Sequence, residues 1–272
     1  SLFLLVFGVR FFFKKKIIFD HRDGWNTRFK NNNNILFLIS RFIEKKALRF
    51  SDEIITSTKV IKEDLAYYFG INKKKITLIT NGYEKIISNI NIKKKKGQNK
   101  FIKIGYFGMI NDNSESYRDI NIIYNLLKNE LIKSKYNFYF WGESDIKNVE
   151  IRKEKNFYFY GNLSHIQAIK KMFEMDYLLI IHTEEKTSKE VITGKFYDYL
   201  STKKKIIVIS KGETLVGKIV KKNNFGYNIN TLNNNLLEIL ISIAEKEIKD
   251  NEINDLYRYS RNFQNNKLIN LI

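Results

Sequence analysis

The chain has 272 residues, with 48 Lys+Arg against 29 Asp+Glu and a formal charge of +19, enough for one large domain or two of ordinary size. At 43% hydrophobic and 14% aromatic residues it is no disordered polyelectrolyte. It contains no Cys, which excludes disulfides, thiolate metal sites and a cysteine nucleophile, and its three His (His21, His165, His182) lie far apart without an HExxH-like pair, which argues against a zinc site.

Proline is also absent, where a usage of about 5% would give roughly 14. A strongly AT-biased genome favours Lys, Asn, Ile, Phe and Tyr codons, so much of the charge can be drift rather than a functional field.

Residues 1–13 (SLFLLVFGVRFFF) are apolar apart from Ser1 and Arg10, and Lys14 to Lys16 follow. The segment is short of the roughly 20 apolar residues a spanning helix needs. It also lacks the basic start and small-residue cleavage site of a signal peptide. It is expected to be a buried helix or strand at a break inside a larger protein, with a clipped membrane anchor as the rival. Residues 17–19 read as a buried strand that exits into DHRDGW (20–25). Residues 35–50 carry Leu36, Ile39, Phe42, Ile43 and Ala47 at helical spacing. Residues 52–56 are a strand. Ser57 or Thr58 can cap the next helix, which stops at Gly70. Residues 76–79 are a strand before the Asn81-Gly82 turn signal.

Residues 85–100 are lysine-rich and read as a linker. A second series follows, in which FIKIGYFG (101–108) is a strand ending in glycine. Residues 117–133 are a helix, and 138–141 and 157–160 are strands, each stopped by glycine. Residues 164–174 are a helix leading into the strand 177–181. A loop over 182–194 precedes a helix over 195–201 and the strand 206–209. The tail from about residue 235 reads as helical. Alternating strands and helices predict an α/β protein with parallel sheets. The expected division is a partial first domain over 1–84, the linker, and a second domain over 101–252. The helix of 253–272 is expected to return to the first domain.

In open α/β sheets ligands bind beyond the carboxyl ends of the strands. The most informative loop there runs through EVITGKFYDYLSTKKKIIVIS (190–210). Gly194 and Lys195 sit at a helix start, where exposed N–H groups and an adjacent lysine make a diphosphate seat. Glu190 and Asp198 flank it and can accept hydrogen bonds from sugar and ribose hydroxyls. A capped helix with a solvated Lys195 is the bland alternative.

This segment resembles the donor-binding signature of GT-B glycosyltransferases, the group carrying a Glu-x7-Glu motif. It is most similar to the bacterial surface-polysaccharide branch, through Lys195-Phe-Tyr-Asp198-Tyr-Leu200 followed by Lys205-Ile-Ile. DHRDGW (20–25), SDEIITST (51–58), ITLITNGYE (76–84), IKIGYFGMI (102–110), FYGNLSH (159–165) and MDYLLI (175–180) resemble further family segments, in family order over nearly the whole chain. The resemblance implies a GT-B-like pair of Rossmann-like domains, the first incomplete, with a nucleotide-diphosphate sugar bound between them. Glu190 would hold the transferred sugar, Asp198 the ribose and Lys195 the diphosphate. Transfer would be metal-independent and retaining, with no cofactor. The chain departs from the family at Asp198, usually Glu, at Thr80, Lys203 and Lys205, usually Pro or Gly, and at Met109, usually basic. Arg118 is the nearest basic substitute.

Further donor-site candidates are Gly108, Glu143 and His182, each at or after a strand end. A satisfied loop histidine is the rival for His182. His21 and Asp23 are catalytic candidates at the cleft edge, as donor-hydroxyl contact and base, although Arg22 and Asp23 can simply pair and pin the loop. His165 is an early helix residue with no special role expected. The expected partners are a nucleotide sugar, a glycan or lipid-linked acceptor and, through the Lys runs, an anionic membrane surface. Nucleic acid is not expected, and the location is cytoplasmic or peripheral on the inner face of the cell membrane. The competing functions are a nucleotide-sugar epimerase of the same fold, a basic RNA- or membrane-binding module, and an inactive remnant.

Overall fold

The computed structural model describes residues 2–13, 15–28, 34–84, 101–116, 118–182, 192–233, 236–245 and 256–272. They fall into two compact units, one of residues 1–82 with 261–272 and one of residues 83–260. The expected linker, 85–100, lies outside the described residues, as does Glu190.

The first unit opens with helix α1 (Leu2–Phe13) and strand β1 (Ile18–His21). Helices α2 (Trp25–Arg28) and α3 (Ile35–Phe50), strand β2 (Glu53–Thr56), helix α4 (Lys59–Phe69) and strand β3 (Ile76–Leu78) follow. The three strands pair in parallel in the order β1-β2-β3, with Phe19 opposite Ile54 and Ile55 opposite Thr77. Thr58, not Ser57, caps α4 by accepting the Ile61 N–H, and Gly70 ends it at φ 62°, a backbone that costs glycine nothing. Leu48, Ile54, Leu65, Phe69 and Ile76 form the core.

The expectation of a buried first segment is corrected. Residues 2–13 form a helix in which Val6 is in the core and Phe7 packs partly against it, while Leu4, Leu5, Phe11, Phe12 and Phe13 are exposed. An apolar run this continuous has no polar face to mark its orientation, so burial does not follow from composition. Among the described residues no helix is long and apolar enough to cross a membrane.

The second unit holds β4 (Ile102–Phe107), β5 (Ile110–Asn111), α5 (Asn121–Leu126), α6 (Glu130–Lys135), β6 (Tyr136–Trp141), β7 (Ser144–Asp145), α7 (Val149–Lys153) and β8 (Phe157–Tyr160). It continues through α8 (His165–Phe173), β9 (Tyr177–His182), α9 (Gly194–Ser201), β10 (Lys205–Ser210), α10 (Leu215–Lys222), β11 (Gly226–Asn230) and α11 (Leu236–Glu245). The final helix, α12 (Arg261–Ile269), counts with the first unit, where the Thr80 N–H donates to Gln264 Oε1 at 3.1 Å.

The large sheet has the order β11-β10-β9-β4-β6-β8, every pair parallel. Numbered within the unit this is 3-2-1-4-5-6, the doubly wound order, and its switch point lies between β4 and β9. Strand alternation sends Ile104, Phe138 and Phe140 to one core and Phe107, Leu178, Ile180 and Val208 to the other. The single helix expected over 117–133 is two short ones. Asn129 interrupts it because its side chain accepts the Leu131 and Ile132 N–H groups and starts α6.

Candidate functional site

The carboxyl ends of β4 and β9 meet the start of α9 in the second unit. Strand β4 ends at Gly108, whose φ is +130°, a region that side-chain-bearing residues avoid. A Cβ on Gly108 would stand 3.0 Å from Lys195 Nζ. Gly142, at the end of β6, packs on it, since a Cβ there would lie 2.7 Å from the Gly108 carbonyl oxygen. Two glycines are thus needed for the backbone to turn tightly beneath the lysine.

Helix α9 explains its own signature. Phe196, Tyr197, Tyr199 and Leu200 are buried. That leaves Lys195 and Asp198, three apart, on the side that is not core. Tyr199 fixes the helix to the sheet: its hydroxyl accepts the Phe107 N–H at 3.1 Å and donates to the Leu179 carbonyl at 3.2 Å. The N-cap residue, Thr193, makes no side-chain hydrogen bond to the first turn.

Lys195 is half-exposed as a residue, yet its ammonium turns inward, 3.8 Å from the centre of the buried Tyr106 ring. Burial, and then the Arg118 charge, lower its pKa to about 7. No carboxylate among the described residues offsets that shift. His182 ends β9 and is 3% exposed, a buried strand residue rather than part of the loop expected from the sequence. Burial, Lys195 and Arg118 together lower its pKa to about 4, so it is a neutral imidazole at pH 7. Gly108, Arg118, His182 and Lys195 are therefore brought together, with Gly194 at the open end of α9, where a Cβ would touch nothing. The geometry is a positively charged seat with uncapped backbone N–H groups, the chemistry that receives an anion.

Asp198 is half-buried, and His165 Nε2 donates to its Oδ1 at 3.1 Å. His165 is the first residue of α8, an early helix position as expected, and the contact with Asp198 is an addition to that reading. Thirty-odd positions separate the two in sequence, so no local pattern announces the pair. Glu143 is exposed, and its carbonyl accepts the Ile110 N–H at 2.9 Å. Among the described residues no group of three or more His, Asp or Glu could hold a metal ion.

The remaining candidates belong to the first unit. His21 is 4% exposed and its Nε2 donates to Glu44 Oε1 at 2.6 Å. Glu44 is itself fully buried, and its other oxygen accepts from Asn26 Nδ2. Sequence reasoning passed over Glu44, because a lone Glu in an amphipathic helix normally marks the solvent face. Asp23 is exposed. The pairing expected between Arg22 and Asp23 is not made: Arg22 Nε donates to Asp20 Oδ1 at 2.9 Å and its Nη1 to Asn81 Oδ1 at 2.9 Å.

No protein-family model and no curated protein matches the chain. Solved structures do. HepE of Anabaena, crystallised with UDP, superposes with a TM-score of 0.71 at 13% identity over 100% of this chain and 76% of HepE. A glycosyltransferase from Rickettsia africae gives 0.63 at 14% identity over 98% of this chain and 78% of its own. The lipopolysaccharide outer core galactosyltransferase WaaB gives 0.57 at 10% identity over 100% and 79%. At these identities the likeness fixes the fold: α/β, with the Rossmann-like units of GT-B glycosyltransferases.

Proposed function

We propose that the chain is a glycosyltransferase that takes its sugar from a nucleotide diphosphate and seats that diphosphate at Lys195. One observation carries the reading. The Lys195 ammonium is enclosed over Tyr106, repelled by Arg118 and balanced by no described carboxylate, at the uncapped start of α9. A charge arranged this way costs stability unless an anion completes it. The helix N-terminus and two cations would neutralise the leaving diphosphate directly. The UDP held by HepE supports uridine diphosphate as the first nucleotide to test.

Glu190 would bind the sugar being transferred and Asp198 the ribose, in a metal-independent and retaining reaction. These roles rest on the resemblance of residues 190–200 to the donor signature. The same resemblance supports a glycan or lipid-linked acceptor and a place in surface polysaccharide synthesis.

The test is calorimetric titration of UDP and GDP into the chain and its Lys195→Ala variant. Losing a charge-assisted contact to phosphate costs about 1.5–3 kcal/mol, or roughly 10- to 150-fold in affinity. Equal affinities for both proteins would refute the seat. Glu190→Gln is expected to spare free-nucleotide affinity while reducing transfer from the nucleotide sugar.

A further inference from the structure

Helices α8 and α9 both begin at carboxyl ends of sheet strands, α8 after β8 and α9 after β9. Their first turns therefore share the end of the sheet where ligands sit. His165 is the first residue of α8 and Asp198 lies in the second turn of α9. The imidazole bridges the two helices through the 3.1 Å bond from Nε2 to Asp198 Oδ1.

Both ends of that bridge rise from a fixed backbone, although the imidazole itself is 63% exposed. Ser164 caps α8 in a full capping box: its side chain accepts the Gln167 N–H, and the Gln167 side chain accepts the Ser164 N–H. Asp198 lies between the buried Tyr197 and Tyr199, which fix the backbone beneath it. A carboxylate can only accept, so the ring nitrogen facing it must carry the proton. Oδ2 of Asp198 accepts no hydrogen bond among the described residues.

We propose that His165 is a positioning residue of the nucleotide site, which holds the Asp198 carboxylate in one rotamer so that its second oxygen receives a ribose hydroxyl. The inference rests on the reading of Asp198 as the ribose contact. Asp is one methylene shorter than the Glu usual at this place in the resembling family, so a freely turning carboxylate would lose more by being misdirected. Restraining it before the ligand arrives removes an ordering cost from binding. A histidine–carboxylate pair with its imidazole 63% exposed contributes little to fold stability, so its effect belongs in ligand affinity rather than in melting temperature.

The experiment is calorimetry with UDP and with 2′,3′-dideoxy-UDP on the parent chain, His165→Ala, His165→Gln, Asp198→Asn and the double variant His165→Ala/Asp198→Asn. His165→Ala is expected to weaken UDP by about 3- to 10-fold, the worth of one oriented hydrogen bond, and to leave dideoxy-UDP unchanged. His165→Gln, which can still donate from a similar position, should recover most of the loss. On the Asp198→Asn background, removing His165 should have no further effect. If Asp198→Asn weakens UDP but His165→Ala does not, the positioning role is wrong and the ribose reading stands. If Asp198→Asn leaves UDP affinity untouched, the ribose reading itself fails and the proposal with it. Equal losses for UDP and dideoxy-UDP, or an undiminished loss on the Asp198→Asn background, would mean that His165 acts some other way and would overturn the proposal.

Discussion

Gly108 and Glu44 are two residues whose side-chain identity the surrounding atoms dictate. At Gly108 the backbone occupies φ +130° and the space beside Cα belongs to Lys195 Nζ. Gly108→Ala should lower stability by about 1–3 kcal/mol through backbone strain. It should also weaken UDP, because the new methyl displaces the ammonium; denaturant melts and calorimetry on one preparation read both. Glu44 is expected to matter only to the fold. Its carboxylate holds His21 and Asn26 without solvent, and Glu44→Ala should cost about 3–5 kcal/mol, seen as a lower urea midpoint. Gly108 was visible in the sequence because a glycine after a strand has a known structural meaning. Glu44 and the His165–Asp198 pair were not, since each depends on which distant segment folds beside it.

At the scale of elements, one phenol ties the buried face of α9 to the sheet by hydrogen bonds. The Tyr199 hydroxyl satisfies the Phe107 N–H and the Leu179 carbonyl together, so it joins the helix to the end of β4 and the middle of β9. Tyr199→Phe keeps the ring but leaves both backbone groups unpaired in the core, at a cost of about 1–3 kcal/mol. Urea denaturation checks it, and a change under 0.5 kcal/mol would show the anchor to be unimportant. The capping box of α8 predicts that Ser164→Ala costs about 1 kcal/mol by the same assay. Strands are the legible elements: β4, β6, β8, β9 and β10 lie within two residues of the expected runs at either end, because short runs of β-branched and aromatic residues have few other uses. The helix expected over 117–133 divides because Asn129 breaks it through a side-chain bond rather than through glycine or proline. The short pair β5 and β7 leaves no periodicity to read, with only two residues in each strand.

Over the whole molecule, the alternation of strand and helix made the α/β class legible. The switch point then followed from topology rather than from any motif. The charge of +19 says little by itself about the ligand, because surface lysines are screened within about 10 Å at ordinary salt. The informative cation is the enclosed one. With its pKa near 7, Lys195 is largely neutral at pH 8 in the free protein. A bound diphosphate would stabilise the ammonium and raise that pKa. Affinity should therefore be greatest below pH 7 as far as Lys195 is concerned, and fall by up to about tenfold per unit above it. The UDP terminal phosphate, with its second pKa near 6, is already ionised in that window and does not obscure the trend. The most direct measurement is the number of protons taken up per UDP bound at pH 8, from calorimetry in buffers of different ionisation enthalpy. An uptake of about half to one proton in the parent chain, abolished by Lys195→Met, is the predicted result; the same uptake in the variant, or no uptake together with an unchanged UDP affinity in Lys195→Met, would contradict the diphosphate seat.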